Sequence, residues 1–177
     1  KWYQTVYAKE EGAIAAPTAG FHFTEELINK LKEKGIKFVE ITLHINTATF
    51  IPLKNMENSL GEEEFTISES ACKIINEAKQ NKSKIVAVGT SVVRALESSS
   101  KNGIVYPNYN SRTNLFISPG FKFQIIDKLI TNFHLPKSTP FILVCSFAQR
   151  DMVLKWYQEA INNKYRFLSY GDSMLII

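Results

Sequence analysis

The chain carries three histidines, and each stands in a short segment crowded with hydroxyl and amide side chains: His22 in PTAGFHFT, His44 in LHINTATF and His134 in TNFHLPKST. Imidazole has an ordinary pKa near neutrality, so it can take or give a proton at physiological pH. The neighbouring Thr, Asn and Ser residues supply the donors and acceptors that fix a ring or a ligand. Any one of these histidines also reads as a buried ring satisfied by a neighbour, but three of three in such settings point to a site. Metal ligation accounts for them poorly. Their spacing is too wide for a helical H-x-x-x-H pair, and no thiol or carboxylate stands beside them in a ligand pattern.

A second chemical feature is VGTSVVRALE, where Gly89, Thr90 and Ser91 lead from an apolar run into a helix. Unpaired amides and the dipole at such a start favour an anion. The G-x-x-x-x-G-K pattern of a phosphate-binding P-loop is absent. Arg94 and Glu97 lie one turn apart and fit an exposed helical ion pair worth roughly 0.2–0.5 kcal/mol. Lys137, beside Ser138 and Thr139, and Arg166, in KYRFLSYGD, suit a phosphate or carboxylate, and equally suit solvated surface charge.

The elements that must position these residues follow from periodicity. TEELINKLKEKG predicts a helix capped by Thr24 and stopped by Gly35, with Leu27, Ile28 and Leu31 on its buried face. FVEITLHI, Phe38 to Ile45, alternates as a strand with Val39, Ile41, Leu43 and Ile45 on an apolar side. Ser68 opens a second helix with Ala71, Ile74, Ile75 and Ala78 at helical spacing. Lys84 to Val88 reads as a buried strand, and Val92 to about Ser98 as a third helix. Asn102 to Arg112 reads as a surface loop, and LFI and FKFQII, around Pro119-Gly120, as two short strands. Pro140 marks the entrance of a buried helix FILVCSFA. An amphipathic helix from Asp151 and a closing strand MLII complete the chain. The helix, strand, glycine turn, helix rhythm predicts a three-layer α/β/α domain with a mostly parallel sheet.

At 177 residues and 45% hydrophobic content, residues 1–177 suffice for one domain with a sizeable core. Twenty-one basic against 17 acidic residues, a net charge of +4, suit a polyanionic partner without requiring one. The two cysteines, Cys72 and Cys145, are far apart and read as reduced core thiols, which excludes a C-x-x-C zinc site. No apolar run is long enough to span a membrane, and KWYQTVYAKEEG lacks a signal-peptide core, so the expected location is the cytoplasm. Oligomeric state is not readable from these features.

Taken in order, PTAGFHFTEEL, LHINTATFIPL, VAVGTSVVRALE, TNLFISPGFKF, LITNFHLPKST and YRFLSYGDSMLII resemble the successive motifs of the S-adenosylmethionine:tRNA ribosyltransferase-isomerase family of queuosine biosynthesis. The resemblance implies transfer of the ribosyl unit of S-adenosylmethionine to 7-aminomethyl-7-deazaguanine at the wobble position of tRNA. Epoxyqueuosine forms, and adenine and methionine are released. S-adenosylmethionine would then be a co-substrate, with no true cofactor and no metal. A base near neutrality would start the rearrangement beside the sulfonium, and an acid would protonate the departing adenine.

His22, His44 and His134 match family histidines and are the implied catalytic residues, with base and acid not distinguished. Thr18, Gly20, Thr49, Gly89, Thr90, Thr131 and Asn132 fall in the motifs that would form the pocket. Arg94 would hold the methionine carboxylate or an RNA phosphate, and Asp172 would oppose the sulfonium or the substrate amine. Lys137 and Arg166 complete the binding set.

Three departures stand out. Asn46 and Ala48 occupy positions where the family usually has glycine, which would reshape that loop. NMENSLGEEEF replaces an H-x-M-H-x-E segment, with Glu63 the best match to its acidic position. The family carries an N-terminal portion, including a small β-barrel, before the segment resembling KWYQTVYA, so the chain corresponds to the larger C-terminal part. The rival reading is a catalytically silent module that binds tRNA or S-adenosylmethionine.

Overall fold

A computed structural model describes residues 4–8, 16–44 and 62–177. A 3-10 turn, Thr18–His22, precedes helix α1, Glu25–Glu33. The Thr24 hydroxyl accepts the Leu27 N–H at 3.1 Å, and Gly35 follows in the left-handed conformation, φ 83°, as expected. The predicted buried face is weaker than its sequence suggests: Leu27 is exposed, and Ile28 and Leu31 are half-buried. Among the described residues, pairing in strand β1 runs over Thr42–His44, and Val39 and Ile41 pack toward the core with Leu43. Ile45, at the end of the predicted strand, lies outside the described residues.

Strand β2, Glu63–Ile67, leads into helix α2, Glu69–Gln80, whose cap Ser68 accepts the Ala71 N–H. Strand β3, Val86–Val88, turns through Gly89 into helix α3, Thr90–Ser98. The predicted surface loop from Asn102 to Arg112 instead contains strands. Ser100–Lys101, β4, pairs with Ile104–Val105, β5, and Asn108–Thr113 forms β6 on the edge of β2. Strand β7, Lys128–Asn132, is followed by helices α4, Thr139–Ala148, and α5, Arg150–Asn162, and by strand β8, Ser173–Ile176. Ser138 caps helix α4, and Pro140 stands in its first turn, where the missing N–H costs no helical bond.

The expected mostly parallel sheet is corrected. The strands form two three-stranded sheets, ordered β1-β2-β6 and β3-β7-β8, and the β4-β5 hairpin. Of the pairings between described residues, β3 with β7 is parallel and the others are antiparallel. Among the described residues the parallel arrangement that the rhythm predicts is therefore confined to the strand-helix-strand unit β3, α3 and β7. The antiparallel partners have different origins: β6 follows the β4-β5 hairpin, and β8 follows a pair of helices, α4 and α5, rather than the single crossover helix of a βαβ unit. The predicted strands around Pro119-Gly120 are also corrected, because Leu115–Asp127 is irregular. Its amides pair with a side chain rather than a strand. The buried Glu97 carboxylate accepts the N–H groups of Gln124, Ile125 and Ile126 at 2.9–3.0 Å.

The core lies on one face of β3-β7-β8, where Ala87, Leu129 and Ile176 form a buried cross-strand row. Val93 of α3, Val144 of α4 and Val153 of α5 are fully buried in the same cluster. Phe133, just past β7, packs edge-on against Tyr157 of α5 and tilts over Phe167. Each such aromatic pair adds roughly 0.5–1.5 kcal/mol beyond its buried area. This cluster fixes the segment that carries His134.

Candidate functional site

Three segments far apart in sequence meet at the C-terminal ends of the parallel pair β3 and β7. Thr18 and its neighbours Ala16 to Ala19, the Gly89 turn with Thr90 to Val92, and Thr131, Asn132 and His134 line one cleft, closed on one side by Pro140. Its empty space, open mouth included, is about 440 Å³. Crevices beyond the carboxyl ends of parallel strands are recurrent ligand sites, because the adjoining helix starts and loops converge there.

The polar groups form linked pairs. The Thr18 hydroxyl donates to Asn132 Oδ1 at 3.1 Å, and Asn132 Nδ2 lies 3.4 Å from His22 Nε2. Asn132 is buried, so the two contacts hold its amide in one orientation. Thr131 Oγ1 lies 2.7 Å from His134 Nε2. The His134 backbone N–H donates to the Tyr157 hydroxyl at 2.9 Å. Burial drives the His134 imidazole down to about 4 and the Tyr157 phenol up to about 12. His134 is therefore neutral at physiological pH, and Tyr157 keeps its proton. Tyr157 was not among the expected site residues; in DMVLKWYQEAINNKY it reads only as a core aromatic.

Gly89 has φ 98° and ψ 148°, a region essentially reserved for glycine. It caps α3 without a side chain, so the Thr90, Ser91 and Val92 amides, which have no intrahelical acceptor, start the helix at the cleft wall. Gly20 serves close packing: a β-carbon there would collide with the Tyr7 hydroxyl and the Thr5 methyl group.

Arg94 is 6% exposed and spends its guanidinium inside the protein. It donates to the Leu115 and Thr113 carbonyls at 3.0 and 3.3 Å, and Nη1 lies 3.0 Å from the Glu63 carboxylate. Glu63, 2% exposed, also accepts from the Ser91 hydroxyl at 3.2 Å. The exposed Arg94–Glu97 helix pair read from spacing is thus corrected: both residues are buried, and they hold opposite ends of the Leu115–Asp127 segment. The acidic position matched by Glu63 is occupied by a carboxylate that braces α3 rather than facing the cleft.

The remaining candidates stand apart from the cleft wall. His44 ends β1 opposite Glu64 and does not line the cleft. Arg166 and Asp172 hold each other: Oδ2 accepts the Arg166 N–H at 2.7 Å, and Oδ1 its guanidinium at 3.1 Å. The Arg166 backbone N–H is the main reason that the Asp172 carboxyl lies below the usual range, and His22 adds a smaller electrostatic pull. Lys137 is exposed, in a left-handed turn at φ 60° just past His134. Thr49, Asn46 and Ala48 lie outside the described residues. Among the described residues no cluster of three His, Cys, Asp or Glu side chains suits a metal, and no helix is long and apolar enough to cross a membrane. Cys72 and Cys145 are buried free thiols.

A family model described as "Queuosine biosynthesis protein" matches residues 1–176. Proteins named S-adenosylmethionine:tRNA ribosyltransferase-isomerase from Sulfurihydrogenibium sp. and Carboxydothermus hydrogenoformans are 51% and 53% identical to it over 99% of this chain. The chain spans about half, 52%, of the length of these curated relatives. A crystal structure of an S-adenosylmethionine tRNA ribosyltransferase from Thermotoga maritima superposes with a TM-score of 0.75 at 41% identity. That match covers 90% of this chain and 51% of the other.

Proposed function

The chain belongs to the queuosine biosynthesis protein family, and from that membership we propose that it works in transfer of the S-adenosylmethionine ribosyl unit to 7-aminomethyl-7-deazaguanine in tRNA. Epoxyqueuosine, adenine and methionine are the products, and the setting is the cytoplasm. The observation that carries the proposal is the meeting of Thr18, Gly89, Thr90, Thr131, Asn132 and His134 around one cleft, with His22 tied to Asn132.

In this reading His134 is the base. Burial keeps its ring unprotonated and so available at physiological pH, though it is a weaker base than a free imidazole, and the Thr131 hydroxyl orients it. The carbon beside a sulfonium is acidified by the positive sulfur, and loss of its proton to His134 starts the rearrangement. His22, oriented by Asn132 and within electrostatic reach of Asp172, returns a proton to the departing adenine. The methionine carboxylate goes to the amides at the start of α3, since the Arg94 guanidinium is already engaged. Lys137 suits a tRNA phosphate beside the cleft.

The test is adenine release from S-adenosylmethionine in the presence of tRNA carrying 7-aminomethyl-7-deazaguanine, for the parent chain and for His134→Ala. Release that requires tRNA and is lost in the variant supports the proposal. Binding of both ligands by the folded chain without release makes it a silent binding module instead.

A further inference from the structure

The turn from Arg166 to Asp172 is built more firmly than an exposed connection requires. Leu168 stands at φ 71°, where a branched side chain is uncomfortable, and its N–H donates to the Phe133 carbonyl at 2.9 Å. The Asp172 N–H donates to the Arg166 carbonyl at 2.7 Å, in addition to the Asp172–Arg166 side-chain bonds. A β-carbon on Gly171 would collide with the Arg166 carbonyl. At the tip this frame presents Tyr170, 65% exposed, with its ring 5.9 Å from that of Phe21 and inclined by only 29° to it. Phe21 is the residue before His22, whose ring meets the Asn132 amide at the cleft.

We propose that Tyr170, stacked on Phe21 beside the cleft, is a platform on which a nucleobase stacks. The inference rests on the tRNA and S-adenosylmethionine reading above. Either ligand brings a purine or pyrimidine whose flat face suits an exposed aromatic ring already backed by a second ring. The backing ring and the rigid turn hold the tyrosine in place before binding, so little side-chain freedom is lost when a base arrives. The base is either the adenine of S-adenosylmethionine or an unstacked base of the tRNA.

The test is equilibrium binding of S-adenosylmethionine alone and of unmodified tRNA alone to the parent chain, Tyr170→Ala, Tyr170→Phe, and the control Tyr109→Ala. Tyr109 is 61% exposed but lies in strand β6 of the other sheet. Loss of one base–aromatic stack weakens binding by roughly 5- to 150-fold. Tyr170→Ala is expected to weaken one probe by that factor, which identifies the source of the base, while Tyr170→Phe and Tyr109→Ala stay within about twofold of the parent. The proposal is overturned if Tyr170→Ala binds both probes like the parent, if Tyr170→Phe loses as much as Tyr170→Ala, or if the parent binds neither probe. Weakened binding in Tyr170→Ala together with a parent that releases no adenine keeps the platform and removes the transferase reading.

Discussion

Lowering the pH from 7 to 5 should destabilise this protein through His134 in particular. Its imidazole has an ordinary value of 6.5 and is pushed to about 4 in the fold by burial. Between those values the unfolded chain takes up a proton that the folded chain refuses. Stability is therefore undiminished above pH 6.5 and is lost as the pH falls toward 4. The loss attributable to this one ring is about 2 kcal/mol at pH 5 and about 3 kcal/mol once the pH has passed the folded value. Other groups also contribute to the pH dependence of stability, so the quantity to measure is a difference of differences. Urea unfolding at pH 7 and pH 5, for the parent and for His134→Gln, should give a pH penalty about 2 kcal/mol larger in the parent. With three histidines in the chain, the ring C–H resonances can be followed individually by NMR, and the His134 signal should hold its neutral position down to about pH 5. Equal pH penalties in the two proteins, or a His134 signal with its midpoint near 6.5, would refute the burial argument and with it the assignment of His134 as a base that rests unprotonated at neutral pH.

Two further substitutions separate scaffolding from binding. Arg94→Met removes the cation facing the 2%-exposed Glu63 carboxylate and should cost about 3–5 kcal/mol in denaturant unfolding; a loss below about 1 kcal/mol would return Arg94 to the ligand-binding candidates. Gly89→Ala places a β-carbon at φ 98°, where the nearest neighbour, the Ala19 methyl, is 3.8 Å away, so the cost is conformational rather than a clash. It should destabilise by about 1–3 kcal/mol and weaken S-adenosylmethionine binding as the α3 amides shift; thermal unfolding and ligand titration check the two effects.

Local structure was legible wherever a cap, a period and a breaker agreed. Thr24 and Ser68 each cap the helix their position announced, Pro140 stands in the first turn of α4, and Gly35 and Gly89 stand at positive φ where a helix stop and a turn were read. The strand partners were less legible, because β6 is polar along most of its length and pairs through its backbone rather than through an apolar pattern. Leu115–Asp127 misled for the opposite reason. Its apolar residues, Ile117, Ile125 and Ile126, are buried as a strand's would be, but Glu97 replaces the neighbouring strand as acceptor for three consecutive amides. No spacing rule links residues 97 and 124, so only the fold reveals the pairing.

The same difficulty separates Arg94 from His134. Both stand in segments dense with polar groups, and sequence alone makes both plausible ligand contacts. Their hydrogen bonds distinguish them. The Arg94 guanidinium is consumed by two carbonyls and a carboxylate that all belong to the scaffold, and displacing any of them to reach a ligand would strand a buried charge. His134 uses its backbone N–H on Tyr157 and one ring nitrogen on Thr131, and it lines the cleft itself. A ring has two nitrogens, so one remains for chemistry after the other has been oriented. Buried ion pairs such as Glu63–Arg94 thus hold the α3 start in place, and the less committed neutral groups around it, Thr18, Thr90 and His134, are the ones positioned to meet a substrate.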